Sequence, residues 1–154
     1  MIMTRRNLLA GAGAFSAWLL LAAGGLLAGA VRAAIPRSAF DKATLDDIIK
    51  DLGGSGSSES GDIEMHVPEI AENGAVVPVE VTSKLANTRS IALIVSENPH
   101  PLSASFQISE GTEPYISTRI KVGETADIIA LVKTDTGFFT SKRLVKVTLG
   151  GCGG

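Results

Sequence analysis

What most constrains this chain is a change of period after Gly61. Between Ile63 and Leu149, most apolar runs recur at every second position, which places alternate side chains on opposite faces of an extended strand. Ile63, Met65 and Val67 alternate with Glu64 and His66, and Pro68 ends the run. Val77, Val79 and Val81 alternate with Pro78, Glu80 and Thr82. Pro78 has no N–H to donate, so this strand is expected at an edge or with a bulge. Ile91–Val95 is apolar throughout and reads as a strand buried on both faces. Asn98-Pro99-His100-Pro101 is a rigid turn, and Asp135-Thr136-Gly137 a hairpin turn. Further alternating runs are centred on Phe106, Thr118, Ile129 and Val145. Seven or eight short strands with no helix among them predict an all-β chain, an antiparallel sandwich of immunoglobulin-like type over residues 62–149. The Cys…Trp…Cys core of antibody domains is missing, so the likeness is architectural. Aromatics make up 5% of the chain, so the core must come from Val, Ile, Leu and Ala.

Residues 34–61 follow a different rule. After an extended entry at Ile35-Pro36-Arg37, Leu45, Ile48, Ile49 and Leu52 recur at helical spacing. Thr44 and Asp47 suit a capping box, and Gly53-Gly54 a C-terminal stop. Asp46, Asp47 and Asp51 read as a solvated outer face. Gly53 through Gly61 reads as a flexible Gly/Ser linker. Before this, Arg5-Arg6 precedes a small-residue-rich apolar stretch ending near Val31-Arg32-Ala33. That resembles a twin-arginine export signal over residues 1–33, destined for the periplasm; a membrane anchor is the competing reading. Cleavage would lower the basic count from 14 to 11 against 16 acids, leaving a net charge of −5. Such a balance argues against nucleic acid or an anionic membrane as partner. After cleavage no membrane segment is expected.

The tail, Gly150-Gly151-Cys152-Gly153-Gly154, holds the one cysteine of the chain. Four glycines in five residues argue against a folded element and for a flexible arm. Fully extended, five residues reach about 17 Å, enough to place a thiol in another protein's pocket. No basic residue lies nearer than Lys146, so the tail brings nothing to activate the thiol. Cys152 therefore reads as a handle on which other enzymes act; the bland alternative is a stray cysteine in a frayed terminus. An exported chain with one cysteine cannot close an internal disulfide, but it can form an intermolecular one.

Little else suggests chemistry. His66 and His100 lie far apart, and with one cysteine they match no zinc spacing, so no metal is expected. No nucleophile-elbow or phosphate-loop motif occurs. Arg119 and Lys121 would join Lys142, Arg143 and Lys146 in a basic strip at the arm's root if their strands were neighbours. Otherwise they are solvated strand faces.

The tail motif, preceded by Val145-Lys146-Val147-Thr148, resembles that of the SoxY family of sulfur carriers in periplasmic thiosulfate oxidation. Asn98-Pro99-His100-Pro101-Leu102 with Phe106, and Ser117-Thr118-Arg119-Ile120-Lys121, are similar to that family's sandwich. The resemblance implies a carrier without turnover or cofactor of its own, loaded through Cys152. It implies a SoxZ-type partner subunit and transient docking to a haem-containing conjugating enzyme, a sulfate-releasing hydrolase and a sulfur dehydrogenase. Two other readings stay open: a periplasmic interaction module whose thiol only forms an intermolecular disulfide, and a carrier that uses its terminal carboxylate.

Overall fold

A computed structural model of the chain describes residues 36–148. The expected export segment (1–33) and glycine-rich arm (150–154) lie outside the described residues. Among the described residues, no helix is long and apolar enough to cross a membrane.

The chain enters through a 3-10 turn, Arg37–Asp41, instead of the extended segment expected there. Helix α1, Leu45–Asp51, follows. Thr44 caps it: its Oγ1 accepts from the Asp47 N–H at 3.2 Å and donates to the Asp47 carboxylate at 2.8 Å. The return bond of the box thus goes to the hydroxyl, and it holds the Asp47 carboxyl below its ordinary range. Asp51 is not simply solvated. It accepts from the Ser38 hydroxyl and pairs with Lys42 at 3.5 Å, which fastens the 3-10 turn to the helix. At the other end Gly53 takes φ 84, the left-handed conformation that closes helices. Lys133 Nζ donates to the Leu52 carbonyl at 3.1 Å and sits 5.3 Å from the Phe138 ring centroid, tying the helix to the sheet.

Nine strands follow: β1 (Ser57–Glu59), β2 (Ile63–His66), β3 (Ile70–Ala71), β4 (Val77–Ser83), β5 (Ser90–Val95), β6 (Leu102–Gln107), β7 (Tyr115–Ile120), β8 (Ala126–Lys133) and β9 (Phe138–Val147). They form the two facing sheets of an immunoglobulin-like sandwich. The large sheet runs β1-β9-β8-β5-β6, with β3 also on β9, and the small sheet runs β2-β4-β7.

Three sequence expectations change. The Gly/Ser linker is not free throughout, because β1 within it pairs with β9 at Ser57↔Phe138. The sandwich is not wholly antiparallel, since β1 and β3 both run parallel to β9. Pro78 sits in the middle strand of the small sheet, yet β2 pairs with β4 only from Glu80 to Ser83. At Pro78 that side of β4 is open, so the missing N–H leaves no ladder bond unmade.

β5 explains its own composition. Ile91, Leu93 and Val95 face the inter-sheet core with Val77, Val79, Val81, Ile128 and Val132. Ala92 and Ile94 face the other way and are covered by Ile48 and Ile49 of α1, with Leu131 and Phe138. Burying each of these helix side chains stabilises the fold by roughly 1.5–3 kcal/mol. The Thr134–Gly137 turn closes the β8–β9 hairpin, and Arg89 grips its Asp135 with two bonds of 2.7 and 2.9 Å.

Candidate functional site: the root of the C-terminal arm

β9 is the element that leads to Cys152. It is ten residues long and pairs with β8 from Phe138 to Val145. Beyond that ladder, its last residues are held by other segments. The Lys146 N–H donates to the Glu69 carbonyl at 2.9 Å and the Thr148 N–H to the Ala71 carbonyl at 3.1 Å. The Val147 N–H donates to Thr125 Oγ1 at 3.1 Å. Each orphan donor of a strand that has outrun its partner thus finds an acceptor.

The supporting loops are themselves cross-tied. Asn98 Nδ2 donates to the Lys121 carbonyl at 2.8 Å, and its Oδ1 accepts from the Gly123 N–H at 2.9 Å. The Val122 N–H donates to the Gly74 carbonyl at 2.7 Å. Gly74 lies so close that a Cβ there would be 2.3 Å from the Val122 carbonyl oxygen and 3.0 Å from Val147 Cγ1. Three loops, around Gly74, Asn98 and Gly123, therefore form a collar at the end of the sandwich from which the chain runs on to Cys152.

Gly150, Gly151, Cys152, Gly153 and Gly154 lie outside the described residues. The two histidines are not brought together: His66 is on β2 opposite Glu80, and His100 is exposed in the β5–β6 turn. Among the described residues, no three His, Cys, Asp or Glu side chains are grouped to hold a metal. The basic strip does not assemble either, because β7, with Arg119, is in the small sheet and β9 in the large one. A cleft of about 220 Å³ lies at the opposite end of β5, lined by Asn87, Arg89, Glu110 and Thr112 among others. The Thr44–Asp47, Lys84–Glu64 and Arg89–Asp135 contacts, which favour the charged forms of Asp47, Glu64, Lys84 and Arg89, lie away from the collar.

Sequence reading missed the collar. Asn98 was legible as a turn residue, but its two loop contacts span 23 and 25 positions and leave no local pattern. Gly74 approaches Val122, 48 positions away, and leaves no local pattern either. Thr125 carried no signal.

A protein-family model described as sulfur oxidation protein SoxY matches residues 49–152, a span that ends on Cys152. The chain belongs to the SoxY family. Among solved structures, this SoxY-family chain is similar to the sulfur carrier protein SoxY from Chlorobium limicola f thiosulfatophilum, with 33% identity and a TM-score of 0.61. That likeness covers 68% of this chain and 94% of the other. A superoxide reductase (neelaredoxin) from Ignicoccus hospitalis is similar at 17% identity and a TM-score of 0.51, covering 58% of this chain and 82% of that one. At that identity the likeness is one of fold. Among curated proteins nothing matches significantly. Membership gives the SoxY-family chain a sulfur-carrier role in sulfur oxidation, within a system of partner proteins.

Proposed function

We propose that this chain carries sulfur intermediates covalently on Cys152 and presents them to partner enzymes on a swinging Gly-Gly-Cys-Gly-Gly arm. The observation that carries the reading is the family match running through the sandwich and ending on the lone cysteine. Loading joins the Cys152 Sγ to the outer sulfur of thiosulfate. A sulfur–sulfur bond forms, the thiol proton goes to solvent, and two electrons pass to a haem-containing conjugating enzyme. Hydrolysis of the terminal sulfur–sulfur bond by a second enzyme then releases sulfate and leaves a persulfide on Cys152. A sulfur dehydrogenase is the third visitor, and a SoxZ-type subunit the standing partner. The tail's sequence brings no basic residue to activate the thiol. The chain's contribution is to hold a small intermediate at high local concentration near each enzyme. The arginine pair and apolar stretch of residues 1–33 support twin-arginine export to the periplasm.

Intact-mass measurement of protein from thiosulfate-grown cells tests the reading. Sulfur-containing adducts are expected on wild type and none on Cys152→Ser, which also loses thiosulfate-dependent sulfate formation. Disulfides as the sole modification would make the chain an interaction module instead.

A further inference from the structure

The outer face of the large sheet is covered at one end and open at the other. Helix α1 and the 3-10 turn bury Leu131 and Phe138 at the covered end, and Ile129 is half-buried beside them. Further along β9, every second residue faces the same way: Lys142, Leu144, Lys146. Leu144 is 53% exposed. Ile70 of β3 stands beside Lys146 in parallel register and is 58% exposed. These are two of the four large hydrophobic residues that the described fold leaves exposed. Neither Lys142 nor Lys146 is in an ion pair with a described residue. The acid facing this patch from β8 is Asp127, across from Leu144. Thr148, bonded to Ala71 of β3, ends the described chain only four residues before Cys152, about 14 Å when fully extended.

We propose that this open end, with Leu144 between Lys142 and Lys146 on β9 and Ile70 beside Lys146 on β3, is a transient docking surface for an enzyme that acts on the Cys152 thiol. That enzyme meets the patch with an apolar contact ringed by carboxylates. The inference rests on the carrier reading above and adds the surface and the chemistry of its visitor. A second copy of this chain is a poor occupant, because two-fold pairing would set the lysines of one copy against those of the other. A permanent partner is also a poor occupant. Two half-exposed aliphatic side chains fall well short of the roughly 800 Å² a side that a stable interface buries. A small apolar centre with a cationic rim suits an encounter steered by charge and broken quickly, which is what a carrier shared among enzymes needs.

The test uses the full chain in a reconstituted assay of thiosulfate-dependent haem reduction, with the carrier concentration varied. Lys142→Glu/Lys146→Glu and Leu144→Thr/Ile70→Thr are expected to raise the half-saturating carrier concentration about tenfold with little change in maximal rate. Added salt should raise it for wild type and hardly at all for the lysine variant. Arg119→Glu, on the small sheet, is the charge-reversal control away from the patch and should behave as wild type. Cys152→Ser protein, which cannot be loaded, should compete with wild type, and it should stop competing once the lysines are reversed. If the patch variants saturate as wild type does, or Arg119→Glu matches the lysine variant, the docking surface is wrong while the carrier reading stands. If Cys152→Ser sustains turnover by itself, the carrier reading fails instead.

Discussion

Replacing Gly74 by alanine tests whether the collar holds the arm's root. The new Cβ would sit 2.3 Å from the Val122 carbonyl oxygen, a backbone atom that cannot rotate away. Either the 72–76 loop retreats or the 121–125 loop does. Overpacking of this kind costs about 1–3 kcal/mol. Retreat also breaks the 2.7 Å bond from the Val122 N–H to the Gly74 carbonyl, worth about 0.5–1.5 kcal/mol. The total is about 2–4 kcal/mol, and at about 4–8 °C per kcal/mol for a domain near this size the melting temperature should fall by roughly 10–25 °C. Circular dichroism melts measure this. Amide hydrogen exchange should show Val147 and Thr148 losing protection before the centre of β9, because Val147 Cγ1 is the next atom the methyl meets. Gly56→Ala is the comparison: nothing lies within 4 Å of a Cβ there, so it should be neutral or stabilise slightly. A Gly74→Ala melt within a few degrees of wild type, with unchanged exchange at Val147, would refute the collar.

Three further outcomes are expected. Ile48→Ala, at a fully buried helix position over Ala92 and Ile94, should destabilise by about 2–5 kcal/mol in denaturant titration, and a value under 1 would mean the helix is not part of the core. The Lys84 ammonium holds the Glu64 carboxyl below its ordinary 4.5, and Glu64 holds Lys84 above its ordinary 10.5. The pair's small contribution is therefore full between those values, fading as pH falls through the depressed Glu64 value or rises through the elevated Lys84 value. Lys84→Met should lose stability only inside that window and less in high salt, and a pH-independent loss would point to packing instead. Gly151→Val should slow enzyme-dependent loading while leaving the reaction of Cys152 with small thiol reagents unchanged; an equal fall in both would remove channel fit as the reason.

The parts of this fold set by alternation were legible, and the parts set by distant partners were not. The β4 run of Val77, Val79 and Val81 named its own inner face. The unbroken apolar run of β5 announced two buried faces before the helix was placed over one of them. Ser57–Glu59 is exposed, polar and flanked by glycines, so nothing local marks it as a strand. It becomes one because β9 offers an open edge at Phe138–Thr140. Ile70–Ala71 is the same case at the other end of that edge. Thr44 and Asp47 were legible as a capping pair, but Asp51 looked like bland helix surface, and it took Ser38 and Lys42 in space to give it work. The Cys152 motif is a different case: it is read from composition alone, four glycines around a thiol, and lies outside the described residues.

The collar matters to the proposed carrier through a volume argument. In that proposal, a free tether of four residues beyond Thr148 would confine the thiol to roughly a hemisphere of 14 Å radius, which corresponds to an effective concentration of a few tenths molar. Without the bonds at Lys146, Val147 and Thr148, the last anchored residue becomes Val145, the end of the β8 ladder. The tether is then seven residues and the radius about 24 Å, and the thiol is diluted about fivefold. Thr125→Val removes one of those bonds at nearly constant volume. The Ala71 and Glu69 carbonyls still hold Thr148 and Lys146, so the substitution should loosen the root without freeing it: turnover at limiting carrier should fall by well under fivefold, turnover at saturating carrier should stay nearly unchanged, and exchange of the Val147 amide should speed up. A loss at saturating carrier as large as that at limiting carrier would mean that Thr125 acts on the loaded complex, and that anchoring the root is not what limits delivery of the thiol.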